Sequence, residues 1–173
     1  MKTFTHHIIN SIQSSFGRFQ QVGVAACALA LLVATGASAL AQSSGKTRPH
    51  HGIQENFVTP TAFGETYVAP GKATHLGKFV SYGINFFLGF NADGLFHGAG
   101  SDITVAANGD ETWSTWEWTL DVSAPMEEWV VNVTWVVVGG TGRFENATGE
   151  GTSVGRFNAA GNFVFINDGV INY

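Results

Sequence analysis

The stretch Trp129-Val130-Val131-Asn132-Val133-Thr134-Trp135-Val136-Val137-Val138, broken by Gly139-Gly140-Thr141-Gly142, decides the fold class. Trp129, Val131, Val133, Trp135 and Val137 fall on one parity. Side chains alternate across a strand with a period of two, so that parity reads as the buried face of a β-strand. β-Branched and aromatic residues suit such a surface, and the glycine run stops the strand sharply.

Working outward, the same rhythm repeats from Thr74 to the end of the chain, with no helical pattern of useful length. A strand is expected from Thr74 to about Phe87, with Leu76, Val80, Tyr82, Ile84 and Phe86 on one parity. Asn91-Ala92-Asp93-Gly94 is a turn, followed by a small-residue strand from Leu95 to Val105. Asn108-Gly109-Asp110 turns again, because Asn-Gly supplies the positive φ angles of tight hairpins. Glu111–Val122, Arg143–Asn158 and Asn162–Ile171 complete the series, the last two joined by Ala159-Ala160-Gly161. Strands joined this closely imply an antiparallel meander. Glycines inside strands read as bulges or bends that help a sheet curl and close, and closure removes exposed edges. The expected architecture is all-β, a closed barrel of about eight strands, with a two-sheet sandwich as the alternative.

The other end of the chain is of a different kind. Residues 1–41 contain no acidic residue, only Lys2 and Arg18 as fixed charges, and the uncharged run Val22–Ala39. Ala39-Leu40-Ala41 before Gln42 offers small residues where a signal peptidase needs them. The expectation is a cleavable signal peptide, 1–41, cut between Ala41 and Gln42 (Ala39 is a second choice), and hence a secreted or periplasmic protein. A retained anchor is disfavoured, since about 18 residues is the lower limit for a span. Cys27 sits before most of the apolar run, not at its end, which argues against lipid attachment. Residues 42–52, polar with a Pro and no periodicity, read as a flexible linker, leaving 53–173 as a single domain.

The chain beyond residue 41 carries six Lys or Arg against all 13 acidic residues, a formal net charge of −7, and no cysteine. Disulfides are excluded there. Nucleic acid and anionic lipid are disfavoured partners, because both are bound through positive charge.

The run Val136–Gly149, aliphatic then GGTG, a basic residue, Phe and Ala-x-Gly, resembles the signature hairpin of the allene oxide cyclase and dirigent-like barrels. Ala73–Phe79, Ala106–Asp110 and Asp168–Ile171 resemble stretches shared by small exported bacterial proteins with that barrel. The resemblance implies a calycin-like barrel of about eight strands that often forms oligomers. The named relatives act on small molecules inside the barrel, but fold alone does not carry an activity.

Among individual residues, Glu117 is the one candidate catalytic group. Trp113, Thr115, Glu117, Thr119 and Asp121 share one face, and Trp116, Trp118, Leu120 and Val122 the other. Inside a barrel Glu117 would be a desolvated acid or base; the polar company it keeps favours the exterior. Trp113, Trp129, Trp135 and His75 are candidate ligand-lining residues, with core filling as the competing role for the tryptophans. His75 and His97 lack the spacing of a metal site, and no metal or other cofactor is expected. The glycine run opens no helix, so it is no phosphate loop. No serine, cysteine or paired-carboxylate motif marks an enzyme. The sequence therefore points to non-catalytic binding of a small apolar or amphipathic ligand in the barrel. The alternatives are a cyclase- or isomerase-type enzyme and a self-assembling envelope protein.

Overall fold

The structure, a computed structural model, describes residues 46–173. The expected leader, its Ala41–Gln42 cut and residues 42–45 lie outside the described residues.

Eight strands follow one another: β1 (Thr47–Pro60), β2 (Gly64–Ala73), β3 (Gly77–Phe90), β4 (Phe96–Ala106), β5 (Glu111–Leu120), β6 (Val130–Gly140), β7 (Thr148–Phe157) and β8 (Phe163–Asn172). Each pairs antiparallel with the next, and β1 pairs with β8 from Thr47↔Asn172 to Asn56↔Phe163. That last seam makes a closed barrel, and the sandwich alternative falls. Single 3₁₀ turns occupy Met126–Glu128 and Gly142–Phe144. Among the described residues no helix is long and apolar enough to cross a membrane.

Three expectations are corrected. Residues 47–52, read as the end of the linker 42–52, form the first part of β1 and are held by the seam with β8. Their polarity misled because Pro49 and His51 face outward while the backbone is paired. The strand expected from Thr74 divides into a turn, Thr74–Leu76, and β3; Leu76 is buried in the turn, whereas Tyr82, Ile84 and Phe86 of the same parity are exposed on the outer wall. The glycines, finally, have two roles. Register shifts occur at Phe87/Gly89 and at Trp113/Ser114 opposite Gly139, as expected of bulges. Others seat aromatic rings: a Cβ on Gly100 would lie 2.4 Å from the Trp116 ring, on Gly98 2.6 Å from Trp118, on Gly151 2.3 Å from Trp135 and on Gly83 2.3 Å from Tyr67. Each large ring lies over a cross-strand neighbour that has no side chain.

This pairing of large with small recurs around the barrel, and an apolar cluster closes each end. At one end Phe79, Val137, Phe144 and Ile171 form an apolar cluster with Leu76 and Ala147. At the other, Phe96, Trp118, Leu120 and Val131 do the same, with Phe163 and Phe165 against them. The first end explains the GGTG-Arg-Phe motif. Thr141 Oγ1 accepts from Glu111 N at 3.0 Å, and Arg143 Nη2 donates to the His75 carbonyl at 2.6 Å. Arg143 also pairs with Asp110 at 3.5 Å, and the loop thus held drives Phe144 into the barrel mouth, where it is completely buried. Gly142 has φ +56, and a Cβ there would strike the Asp110 carboxylate.

Candidate functional site in the barrel interior

Between the two apolar layers the inward side chains turn polar. On β2 they are Glu65 and Tyr67, on β3 Ser81 and Asn85, on β4 Asp102 and Thr104, on β5 Ser114 and Trp116. The register makes this layer. Val105↔Glu111 across the Asn108-Gly109 turn carries Asp102 opposite Ser114 and Gly100 opposite Trp116, and Trp116 opposite Trp135 on β6.

Two hydrogen-bonded chains run through it. The Tyr67 hydroxyl donates to Asp102 Oδ2 at 2.7 Å. Trp118 Nε1 donates to Asn85 Oδ1 at 2.8 Å, and Asn85 Nδ2 to Glu65 Oε1 at 3.1 Å. Burial disfavours the charged form of an acid. It pushes Asp102 up to about 6, with the polarity of Tyr67, Ser114 and Trp116 pulling back. It raises Glu65 as well, partly offset by Asn85, and it raises Tyr67, which also has Asp102 beside it.

The layer is incompletely satisfied. Asp102 Oδ1, Trp116 Nε1, Trp135 Nε1 and His50 Nδ1 are buried without a hydrogen-bond partner. Ser114 and Trp116 stand near the carboxylate, yet neither closes a hydrogen bond on Oδ1. Such groups are few in folded proteins, and each calls for a cause. Ring contacts join these groups to their neighbours: Trp116 to Tyr67 at 6.1 Å and Trp135 to His50 at 5.6 Å. His50 is kept neutral, lowered to about 4 by burial and then by His75 and His51, with Asp168 opposing. Trp116, Val133, Trp135, Asn167 and Gln54 point inward but are only half-buried. Tyr67, Ala69, Ser81 and Asn85 on the opposite side are buried.

The residues singled out by sequence are scattered. Glu117 lies on the exposed outer face of β5, opposite Ala99 and Thr134, so its condition for a catalytic role is unmet. Trp113 is also outward, its Nε1 donating to Glu111 at 3.1 Å. Trp129 stands below β6, donating to the Ala124 carbonyl at 2.9 Å. His75 is in the β2–β3 turn with φ 70, its ring against Tyr173 and its Nε2 3.0 Å from the Pro49 carbonyl. His97, on the outward parity of β4, pairs in register with Thr119. Only Trp135 reaches the interior layer. Asp102, Glu65 and Tyr67 were missed as a site.

A second surface lies on the outer wall. Val68, Tyr82, Ile84, Ile103, Trp113 and Val138 line a groove of about 630 Å³, with Thr59, Thr66 and Thr115 between them. Tyr67, Asp102 and Ser114 also belong to its lining; Asp102 is the one charged residue among them, and its carboxylate is held inward by the Tyr67 hydroxyl. Among the described residues no group of three or more His, Cys, Asp or Glu is placed to hold a metal ion.

No family model matches the chain, and no curated protein matches its sequence.

Proposed function

We propose that this is an exported, non-catalytic barrel that binds a small amphipathic molecule in its interior, the polar part of the ligand meeting the layer around Asp102, Tyr67 and Trp116. The observation that carries the reading is the set of unpartnered buried polar atoms at mid-barrel, between two apolar layers. A purely structural barrel gains nothing from them, since an unsatisfied buried group costs about 1–3 kcal/mol. An eight-stranded barrel is just wide enough to be filled by side chains or to hold one small ligand, and the unpartnered polar atoms favour the second. Native mass spectrometry of protein purified from its own host tests this: a mass above that of the polypeptide, lost on denaturation, is expected. An unloaded protein whose experimental density shows the interior filled by side chains sinks the proposal.

The outer groove favours a second reading, self-assembly, because a charge-free apolar wall of this kind marks an interaction surface. Replacing Ile84 with Asp should then shift the protein from oligomer to monomer in sedimentation equilibrium without changing its far-UV circular dichroism. A wild-type monomer at high concentration removes this reading. An enzyme of the cyclase or isomerase type would have to use Asp102, not Glu117, as its acid or base.

A further inference from the structure

Asp102 and Glu65 bring two carboxylates into the middle layer, and no cation stands against them there: of the inward-facing bases of β1, His50 is held neutral and Arg48 lies over the Tyr173 ring and donates to its hydroxyl at 3.0 Å. The ion pairs among the described residues are His51–Asp168 and Arg143–Asp110, both away from the middle layer. The groups that act on Asp102 are its own burial, Tyr67, Ser114 and Trp116, none of them cationic. An ionised carboxylate taken out of water without a countercharge is unfavourable. Its second oxygen, Oδ1, is buried and closes no hydrogen bond, although Ser114 and Trp116 stand beside it. Around it stand aromatic rings, Tyr67 and Trp116 at 6.1 Å from each other, with Trp135 the cross-strand neighbour of Trp116. Aromatic faces attract cations through their quadrupole.

We propose that the interior site recognises a small protonated amine carried on an apolar body, the ammonium on Asp102 Oδ1 and the apolar part against Trp116 and Trp135. The inference rests on the interior-binding reading and names its ligand class. At this layer an anionic head would meet two carboxylates, and a neutral one leaves their charge uncompensated. A metal ion lacks the donor set.

The test is a titration followed by intrinsic tryptophan fluorescence at pH 7.5, using phenethylammonium, phenethyl alcohol and phenylacetate as shape-matched probes. The amine is expected to bind about tenfold more tightly than the alcohol, the increment of one charge-assisted hydrogen bond, with phenylacetate weakest. Asp102→Asn should bring amine and alcohol within about twofold of each other. Should that variant misfold, the wild type still decides. Between pH 7.5 and 5 its affinity for the amine should fall several-fold while that for the alcohol holds, because Asp102, faced by Tyr67 of β2 and by Ser114 and Trp116 of β5, loses its charge near pH 6. Equal affinities for amine and alcohol overturn the cation inference and leave interior binding standing. So does a preference that survives Asp102→Asn. If none of the three probes binds, the cation inference fails, and native mass spectrometry showing no carried ligand removes the binding reading with it.

Discussion

Asp102 ties sequence, stability and function together in one side chain. Its folded-state pKa of about 6 lies above the ordinary 3.8, so between those values the folded chain binds more protons than the unfolded one. Stability from this group is therefore fullest below pH 4 and is lost as pH rises through 6, a change of about 3 kcal/mol. His50 acts oppositely in the same window: lowered from 6.5 to about 4, it favours the folded state above pH 6.5 and withdraws that support on acidification. The net profile of the wild type is consequently shallow, and the informative quantity is a difference. The stability of wild type minus that of Asp102→Asn should grow by about 3 kcal/mol as pH falls from 7 to 4, read from urea midpoints at each pH. A difference independent of pH would show that the carboxylate is not desolvated. The glycine sockets make a second residue-scale prediction. Gly151→Ala would place a Cβ 2.3 Å from the Trp135 ring and should cost about 2–3 kcal/mol by overpacking in chemical denaturation. Asp102 was legible in principle, since the Asn108-Gly109 hairpin sets its register. In sequence it stands out only as a conceivable third metal ligand beside His75 and His97, because Gly98 and Gly100 on its parity show no buried face until the tryptophans opposite them are counted.

At the scale of elements, the hairpin between β6 and β7 shows a motif acting mechanically. Gly139–Gly142 ends β6, Thr141 and Arg143 fasten the loop to the β4–β5 and β2–β3 turns, and Phe144 enters the mouth. Phe144→Ala should cost about 3–5 kcal/mol in urea denaturation. Arg143→Ala, which removes partly exposed contacts, should cost about 1 kcal/mol or less. Comparable losses for the two would mean that the loop, not the ring, holds this end. The motif is thus an end plug, which is why its presence in a sequence indicates a barrel and is silent about the ligand.

For the whole molecule, closure is the decisive event, and it depends on the least strand-like segment. The seam between β1 and β8 runs over ten register pairs, six of them made by residues 47–52. A chain beginning at Ile53 should lose cooperative unfolding and elute as aggregate in size-exclusion chromatography, because it leaves half of β8 as an unpaired edge. A chain beginning at Lys46 should behave as the full domain. Equal behaviour of the two would mean that this half of the seam is dispensable. The outer wall is also a property of the whole. Val68, Tyr82, Ile84 and Ile103 come from three strands and form one apolar groove only after the sheet has curled.

The sequence by itself determined that the chain is all-β, where most turns fall, and that β6 buries its odd positions. These follow from period-two alternation and from turn chemistry, which act within a few residues. It also put Glu117 in polar company, and the structure places that residue outside. Only the tertiary structure decided the sandwich-or-barrel question, drew residues 47–52 into a strand, turned Tyr82 and Ile84 outward, and set Asp102 beside Tyr67 and opposite Ser114. Those outcomes depend on pairing between segments as far apart as Thr47 and Asn172, and on which face of each strand the closed sheet encloses. Local patterning cannot carry that information where small and polar residues occupy the inner face and large apolar ones the outer.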